Sequence, residues 1–350
     1  MFKYVVKRVL LMLFVFMVII TMCFFLVKLL PNEPPQAQPG TDSYRILMMR
    51  REALGYNKPL TEQYGIFLTK TLLATDFSTN QDGTQNRILL GYDFNDKVFK
   101  GGNWGLSEKM YPNREVWDVF ISKLPPTMLV NIYTMVFAVP LGLALGIYAA
   151  LKKNKWQDHL ISTGVMVFIS VPGYVYCFLI QYILCHKLVE WTGWGFPLLM
   201  NSGQDYFSWS MFVSVIPPVL SLGLGTIAGL ARYTRAELCE VLTQEYMLLA
   251  RTKGLTRGQA TVRHALRNSM VPIFPMILGE FIGIIGGSLI VEQIFGIPGV
   301  GGLYLDSINA RDYNFYLLLN SFYTLIGLAS GIIVDLSYGF VDPRIRMGEK

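Results

Sequence analysis

Charge is what this sequence has least of. Only 15% of its 350 residues are Asp, Glu, Lys or Arg, against 52% hydrophobic residues, and the mean hydropathy is +0.40. Soluble globular chains carry about 25% charged residues, so a surface that faces water throughout is excluded. Cysteine is sparse as well. Cys23, Cys177 and Cys185 lie in apolar runs and Cys239 in a basic segment, with no Cys-x-x-Cys or other ligand spacing among them. That excludes a disulfide framework and a zinc signature. His159, His186 and His264 are scattered, so no metal site is indicated. No GxxxxGK[ST] loop is present, which excludes ATP binding in the P-loop manner. The apolar runs hold no paired Asp, no Ser/Lys pair and no His/Glu set, so no catalytic residue is assigned. There is no internal repeat and no low-complexity tract.

What is there is apolar sequence in long runs. A membrane helix needs about 20 mainly apolar residues to cross about 30 Å of hydrocarbon. Reading between charges gives six candidates: Val9 to Val27, Leu124 to Leu151, Leu160 to Cys185, Tyr206 to Ala231, Asn268 to Val291 (interrupted by Glu280) and Tyr313 to Val334. The first follows Lys3, Lys7 and Arg8 as a signal peptide does. It is long enough to span, however, and has no small-x-small site before Pro31, so an uncleaved helix is expected. The expected fold is an all-α polytopic membrane protein with six transmembrane helices and an external subdomain between helices 1 and 2.

The net charge of +6 sits mostly in the short connections. Lys3, Lys7 and Arg8 precede span 1; Lys152, Lys153 and Lys155 follow span 2. Arg232, Arg235, Arg251, Lys253, Arg257, Arg263 and Arg267 follow span 4; Arg344, Arg346 and Lys350 follow span 6. Only Lys187 and Arg311 lie in the short links on the other side. Short basic loops stay in the cytoplasm, so both termini are expected inside, and nucleic acid is not an expected partner. The Lys152 to Lys155 run also suits anionic lipid head groups. The aromatic stretch from Trp191 to Phe196, with Trp209, reads as an interfacial belt.

These boundaries predict an N-terminal transmembrane helix over 1–30, an external subdomain over 31–123, and a five-helix core over 124–350 carrying a cytoplasmic loop at 232–267. Within the external segment, Pro34 to Pro39 is Pro- and Gln-rich, Tyr44 to Leu54 is helix-compatible, and Thr75 to Trp104 has the composition of turns and loops. In the cytoplasmic loop, helix formers run from Ala236 to Lys253, Gly254 interrupts, and a second helix capped by Thr256 continues to Leu266.

The stretch from Glu245 to Leu255 resembles the cytoplasmic Glu-Ala-Ala…Gly loop of binding-protein-dependent ABC importer permeases, with the second alanine at Ala250 and the glycine at Gly254. The oligopeptide and dipeptide branch reads Ala-Arg-x-Lys-Gly-Leu and then Arg-His-Ala-Leu. This chain has Ala250-Arg251-Thr252-Lys253-Gly254-Leu255 and Arg263-His264-Ala265-Leu266. Further resemblances run along nearly the whole chain: Leu30-Pro31-Asn32-Glu33-Pro34, Leu54-Gly55-Tyr56-Asn57-Lys58-Pro59-Leu60, Leu124-Pro125-Pro126-Thr127, Ser170-Val171-Pro172 and Leu230 to Arg235. Glu292, Phe295, Pro298-Gly299, Ala310 to Tyr313 and Asp342 to Arg346 complete the series. The segment from Thr75 to Lys109 is longer than the family pattern.

The resemblance implies a permease of the B-type in the bacterial plasma (inner) membrane, importing peptides, with nickel chelates or another small solute as the alternative cargo. It implies a heterodimer with a second homologous permease, two ATP-binding subunits that hold ATP and Mg so that this chain is not itself an enzyme and carries no cofactor, and a solute-binding protein docking on 31–123. ATP-driven closure of the motor subunits would pull on the helix around Glu245, Tyr246, Ala250, Arg251, Lys253 and Gly254. Ala250 would permit close seating and Gly254 the sharp exit. Such closure must favour one of two states by several kcal/mol, on the order of 5, to shift populations decisively.

Glu280 is the one acidic residue deep in span 5. Ionisable groups there face a polar cavity or a partner, so it reads either as a pathway residue meeting a peptide's cationic group or as a structural pair. Gly225 and Gly229, and Gly279, Gly283 and Gly287, stand at small-xxx-small spacing. They read either as intrachain packing or as the interface and pathway, where Gly283 and Gly287 join Glu280 as candidates. Asp335 and Arg344 read as anchors near the inner surface. A secondary transporter would need ion-coupling carboxylates and inverted repeats, and neither it nor an enzyme explains the cytoplasmic loop.

Overall fold

The computed structural model describes residues 2–30, 42–53, 57–73, 88–89, 92–93, 98–99, 104–112, 114–201, 205–206 and 208–341. Of the sequence matches above, Pro31 to Pro34, Leu54 to Tyr56 and Asp342 to Arg346 lie outside the described residues, as do the Pro-rich stretch to Pro39, most of Thr75 to Asn103, and the C-terminal basic group.

Helices α1 (Phe2–Leu29), α2 (Asp42–Ala53) and α3 (Leu60–Ile66) come first. Three two-residue strands follow, β1 (Ile88–Leu89), β2 (Tyr92–Asp93) and β3 (Val98–Phe99), antiparallel in that order with Tyr92 opposite both Leu89 and Phe99. Composition alone predicts only turns and loops there. The remaining helices are α4 (Val116–Leu151), α5 (Trp156–Ser170), α6 (Gly173–Gln181), α7 (Leu188–Thr192), α8 (Trp209–Val241), α9 (Glu245–Thr252), α10 (Arg257–Ala260), α11 (Leu266–Gly283), α12 (Leu289–Ile294), α13 (Leu303–Asn309) and α14 (Tyr313–Val341). Among the described residues, five stretches are long and apolar enough to span: Val5–Leu29, Val116–Leu151, Trp209–Val241, Arg257–Gly286 and Tyr313–Gly339.

The third expected span is not straight. The run from Leu160 to Cys185 is broken into Trp156–Ser170 and Gly173–Thr192, which meet at 102°. Pro172 has no N–H to continue the ladder and holds Val171 extended, at φ −85° and ψ 129°. Span 5 also differs from the expected Asn268 to Val291. It begins at Arg257 and stops at Gly286, because Gly287 turns left-handed at φ 68° and α12 starts a separate helix. Likewise, the expected helix from Ala236 to Lys253 is two elements: α8 runs on to Val241, three residues turn, and α9 begins at Glu245.

The chain divides into two compact units, one of residues 1–12, 125–302 and 326–350, the other of 13–124 and 303–325. The first has a core in which Val130 of α4, Cys177 of α6, Met211 and Val215 of α8, and Val291 and Phe295 at α12 pack together. A close crossing of α4 and α8 uses a glycine pair, Gly142 and Gly146, outside the expected glycine rows. A Cβ at Gly142 would lie 2.9 Å from Leu230 Cβ, and one at Gly146 would lie 2.6 Å from Thr234 Cβ and 2.7 Å from the Ala231 carbonyl. The Arg8 guanidinium meets Asp335 at 2.8 Å, which gives the expected anchor a partner at the other end of the chain. In the second unit, Phe24 stacks on Phe67 at 5.0 Å and touches Tyr64 at 5.4 Å, while Phe120 meets Phe322 edge-on at 4.7 Å.

The crossing can be tested directly. Gly146→Ala places its methyl against backbone that cannot yield without parting α4 from α8, so the cost should be about 1–3 kcal/mol. Gly164→Ala in α5 meets nothing within 4 Å and should stabilise by up to about 1 kcal/mol through helix propensity. Thermal unfolding midpoints of the detergent-purified chain should move in opposite directions.

Candidate functional site

The expected coupling residues form a short, sharply bounded helix. Gln244 enters α9 with extended backbone, at φ −71° and ψ 147°, and Glu245 stands in the first turn, where a carboxylate suits the helix dipole. The exit is a glycine-closed cap. Gly254 is left-handed at φ 91°, its N–H bonds the Arg251 carbonyl at 3.0 Å, and the Leu255 N–H reaches back to Ala250 at 3.3 Å. Those paired bonds satisfy carbonyls that a helix end leaves open. Two residues on, Thr256 starts the next helix with a reciprocal cap: its hydroxyl accepts from the Gln259 N–H at 3.3 Å, and its own N–H donates to Gln259 at 3.0 Å. The Lys-Gly-Leu-Thr sequence therefore ends one helix and begins another within four residues. That second helix runs through a π-helical turn, Thr261–Ala265, straight into α11, so the short independent helix expected to end at Leu266 is the foot of span 5.

Two faces of α9 differ in kind. Met247 and Ala250 are buried, packed with Ala150 of α4, Leu238 and Cys239 of α8, and Ala260 and Ala265 below α11. Ala250 thus seats α9 on the chain's own helices. The other face carries Glu245, Tyr246, Arg251, Lys253 and Gly254, all exposed. It also carries Leu248 and Leu249, which are 65% and 55% exposed. Sequence reasoning missed these two leucines, because in an unbroken Met-Leu-Leu-Ala run only the helix register says which residues point outward.

Beside this helix lies an ion pair that sequence reasoning also missed. Asp158, in the first turn of α5 and only 1% exposed, takes a two-pronged contact from Arg235 of α8: Nε to Oδ1 at 2.5 Å and Nη2 to Oδ2 at 2.7 Å. The Asn154 N–H adds a bond at 2.9 Å and the Ser162 hydroxyl one at 3.3 Å. Asn154 is itself left-handed, at φ 62°, which aims its N–H at the carboxylate. Planar fork-to-carboxylate pairing is the strong form of the charged hydrogen bond. The available signal was an acidic residue directly after the Lys152 to Lys155 run, at the head of an apolar span.

The expected pathway residues separate. Glu280 and Gly283 are neighbours on one exposed face of α11, and Glu280 makes no hydrogen bond or ion pair among the described residues. No contact awaits a Cβ at Gly283. Gly287 belongs elsewhere, in a crowded cradle where a Cβ would lie 2.5 Å from the Glu292 carboxylate, 3.0 Å from Thr127 Cγ2 and 3.1 Å from the Gly301 nitrogen.

That cradle is built around Glu292, 6% exposed. The Thr127 hydroxyl donates to Oε1 at 2.8 Å, the Gly301 N–H to Oε2 at 2.7 Å, and the Val300 N–H to the Thr127 oxygen at 2.9 Å. A second buried carboxylate, Asp312, stands in the other unit. It accepts the Ser107 hydroxyl at 2.5 Å and the N–H groups of Lys109 and Met110, each at 3.2 Å, and caps α14 through Phe315 at 3.5 Å. Glu292 and Asp312 entered the sequence reading only as matched positions. Burial pushes the Glu292 carboxyl above its ordinary range, while the Thr127 hydroxyl and backbone N–H groups oppose that shift without cancelling it.

With this geometry in hand, comparison with known proteins gives a consistent result. Residues 142–347 match the family described as "Binding-protein-dependent transport system inner membrane component", and residues 1–102 match "Binding-prot-dependent transport system membrane comp, N-term". The chain is 31% identical over 348 residues to "Glutathione transport system permease protein GsiC" of Escherichia coli (strain K12), covering 99% of each. It is 32% identical over 349 residues to the protein of that name from Shigella flexneri serotype 5b (strain 8401), again covering 99% of each. A solved structure of the MetNI methionine ABC transporter, inward facing, is similar at 18% identity and TM-score 0.47, over 63% of this chain and 97% of that one.

The Glu292 cradle generates a pH test with a definite sign. A carboxyl whose folded pKa is raised supports the fold fully below its unfolded value, about 4.3, and that support is lost as pH rises through the raised folded value. Wild-type stability should therefore fall between pH 4.5 and neutrality relative to Glu292→Gln, whose side chain does not titrate. Parallel melting curves across that range in lipid nanodiscs measure the difference. Identical slopes for the two proteins would contradict the assignment.

Proposed function

This chain belongs to the family of binding-protein-dependent transport system inner membrane components, as a multi-pass permease subunit of an ABC importer, and from that premise we propose that its cargo is peptide and that α9 is where the ATP-hydrolysing subunits grip it. The observation that carries the coupling part is the two-faced α9: seated from within by Met247 and Ala250, closed by Gly254, and turned outward with Tyr246, Leu248, Leu249, Arg251 and Lys253. An exposed apolar row of this kind, rimmed by cations, is the composition of a protein contact. ATP and Mg belong to the partner subunits in this reading, and the chain pairs with a second, different permease. Both termini are cytoplasmic, and the binding protein docks on the opposite side, on the 31–123 segment.

Peptide cargo is supported by the branch-type sequence Ala250 to Leu255 and Arg263 to Leu266, and by relatives named for glutathione, a peptide-like solute. Glu280 and Gly283 are the pathway candidates that share an open face, where a carboxylate without a partner among the described residues can meet a peptide's amino group. Gly287, held in the Glu292 cradle, serves to shape the segment that follows span 5.

The coupling test uses substitutions that spare the fold. Leu248→Glu with Leu249→Glu alters only exposed side chains, so insertion and melting of the chain should be unchanged. Loss of apolar contact-centre residues costs about 2 kcal/mol or more, which is at least about 30-fold in affinity. Pull-down of the ATP-binding subunits should weaken accordingly, and cellular uptake of labelled trialanine and glutathione should fall with it. Retained pull-down would sink the coupling assignment. Strong pull-down by wild type, with import of a nickel chelate and of neither peptide, would leave the coupling role standing and replace the cargo. For Gly254→Asp, the side chain is forced into left-handed backbone at a cost of about 1–2 kcal/mol, and uptake should fall without loss of the chain from the membrane.

A further inference from the structure

The Asp158–Arg235 pair ties α5 to α8 close to where α8 leads into α9. Arg235 lies on α8, six residues before that helix ends at Val241 and hands over to α9. Asp158 lies on α5, the first half of the broken span, whose second half begins beyond the 102° bend. Below the pair, α9 is seated on the ends of α4 and α8 and the foot of α11. Above it, α5 touches α8 through Val165 against Ala228 and Ala231. That apolar contact is non-directional. The ion pair is directional, two-pronged and almost fully withdrawn from solvent on the Asp158 side.

We propose that Asp158–Arg235 is a positioning pair for transport: it obliges α5 to follow the end of α8 whenever α9 is displaced, so that motor strokes reach the bend at Val171–Pro172. The inference rests on α9 being the coupling helix, and the pair itself contacts neither substrate nor ATP. Direction follows from the chain. A force on α9 arrives at α8 across the three-residue turn Leu242 to Gln244. Without the pair, α8 could move while α5 stayed behind, and the bend would not change. Asn154 and Ser162 hold the carboxylate in its orientation, so the contact transmits rotation as well as translation.

The test uses the complete complex in nanodiscs, with its partner permease, ATP-binding subunits and binding protein. Spin labels go on Trp156→Cys and Trp191→Cys, two exposed positions on either side of the bend, with the native cysteines replaced by alanine. In the otherwise native chain, ATP should shift the 156–191 distance distribution, which spans the bend. Asp158→Asn should abolish most of that shift while ATP hydrolysis continues, and in unlabelled complexes the maximal uptake rate of labelled trialanine or glutathione should drop at least about tenfold at unchanged half-saturation. Arg235→Lys, which keeps the charge and loses the fork, should fall between. The Asp158→Asn/Arg235→Gln double substitution leaves no uncompensated buried charge and should assemble normally while staying uncoupled. A full ATP-driven shift in the variants, or no shift in the native chain, overturns the proposal. Failure of both variants to assemble overturns it too, in favour of a plain folding role. If the distance shift behaves as expected but neither peptide is imported, the peptide reading fails and the positioning pair stands.

Discussion

Backbone hydrogen bonding in a medium without water is the constraint on which this structure depends. A spanning segment must satisfy its own N–H and C=O groups, which is why the apolar runs are helices. A departure from regular helix leaves backbone groups that a polar side chain can meet, and several breaks here have one. Where span 5 frays at Ile284, the Asn131 side chain of α4 donates to the freed carbonyl at 2.6 Å. Where α12 ends, Gln181 of α6 donates to Ile294 at 3.0 Å. Where the chain turns through Gly287 and Gly301, Glu292 accepts the N–H groups. At the start of α14, Asp312 gathers the 107–110 turn and caps the helix. At these four places a polar side chain meets backbone that the helix leaves open.

Carboxylates do this work in two chemically different ways. Asp158 faces a guanidinium, and its charge is matched by charge. Glu292 faces only neutral donors, a hydroxyl and backbone amides. A buried ion left without its partner costs several kcal/mol, roughly 3–5, so the first arrangement enforces a fixed pairing between α5 and α8. The second meets its carboxyl with neutral donors alone and fixes a loop. One device ties two helices to each other; the other holds a segment of irregular backbone in one shape.

Much of the fold was legible because hydrophobic runs and glycine punctuation are local signals. Six spans, the left-handed Gly254 and the Thr256 cap could be read from neighbouring residues alone. What escaped needed knowledge of which residue faces which. Gly225, Gly229, Gly279 and Gly283 have the spacing of a packing seam, yet the tight seam within this chain is Gly142 and Gly146 against Leu230 and Thr234. The spacing rule cannot choose among glycine rows without the opposing helix. The bend at Val171–Pro172 was visible as a proline, but apolar length outweighed it in the reading. Asp158, Glu292 and Asp312 have partners 77, 165 and 205 residues away respectively, distances at which no single-sequence pattern operates. Leu248 and Leu249 were hidden for the opposite reason: apolar residues in an apolar chain give no sign that they point outward.

In the proposed coupling role, the form of α9 suits what it would transmit. A helix of eight residues is marginal on its own, and a marginal helix would absorb a push by unwinding. Here both ends are fixed, by the entry turn and by the paired Gly254 and Thr256 caps, and its inner face is wedged among alanines at the feet of three longer helices. Close-packed interiors pass strain on instead of damping it. The alanines matter for the same reason: Ala150, Ala250, Ala260 and Ala265 bring backbones near enough that displacement of one helix cannot be taken up by rotation of a long side chain. A larger, softer contact at this point would bind a motor equally well and convey less of its stroke. The short helix with a small-residue inner face and a leucine outer face therefore separates two demands, grip on one side and stiffness on the other, which a helix of uniform composition could not meet together.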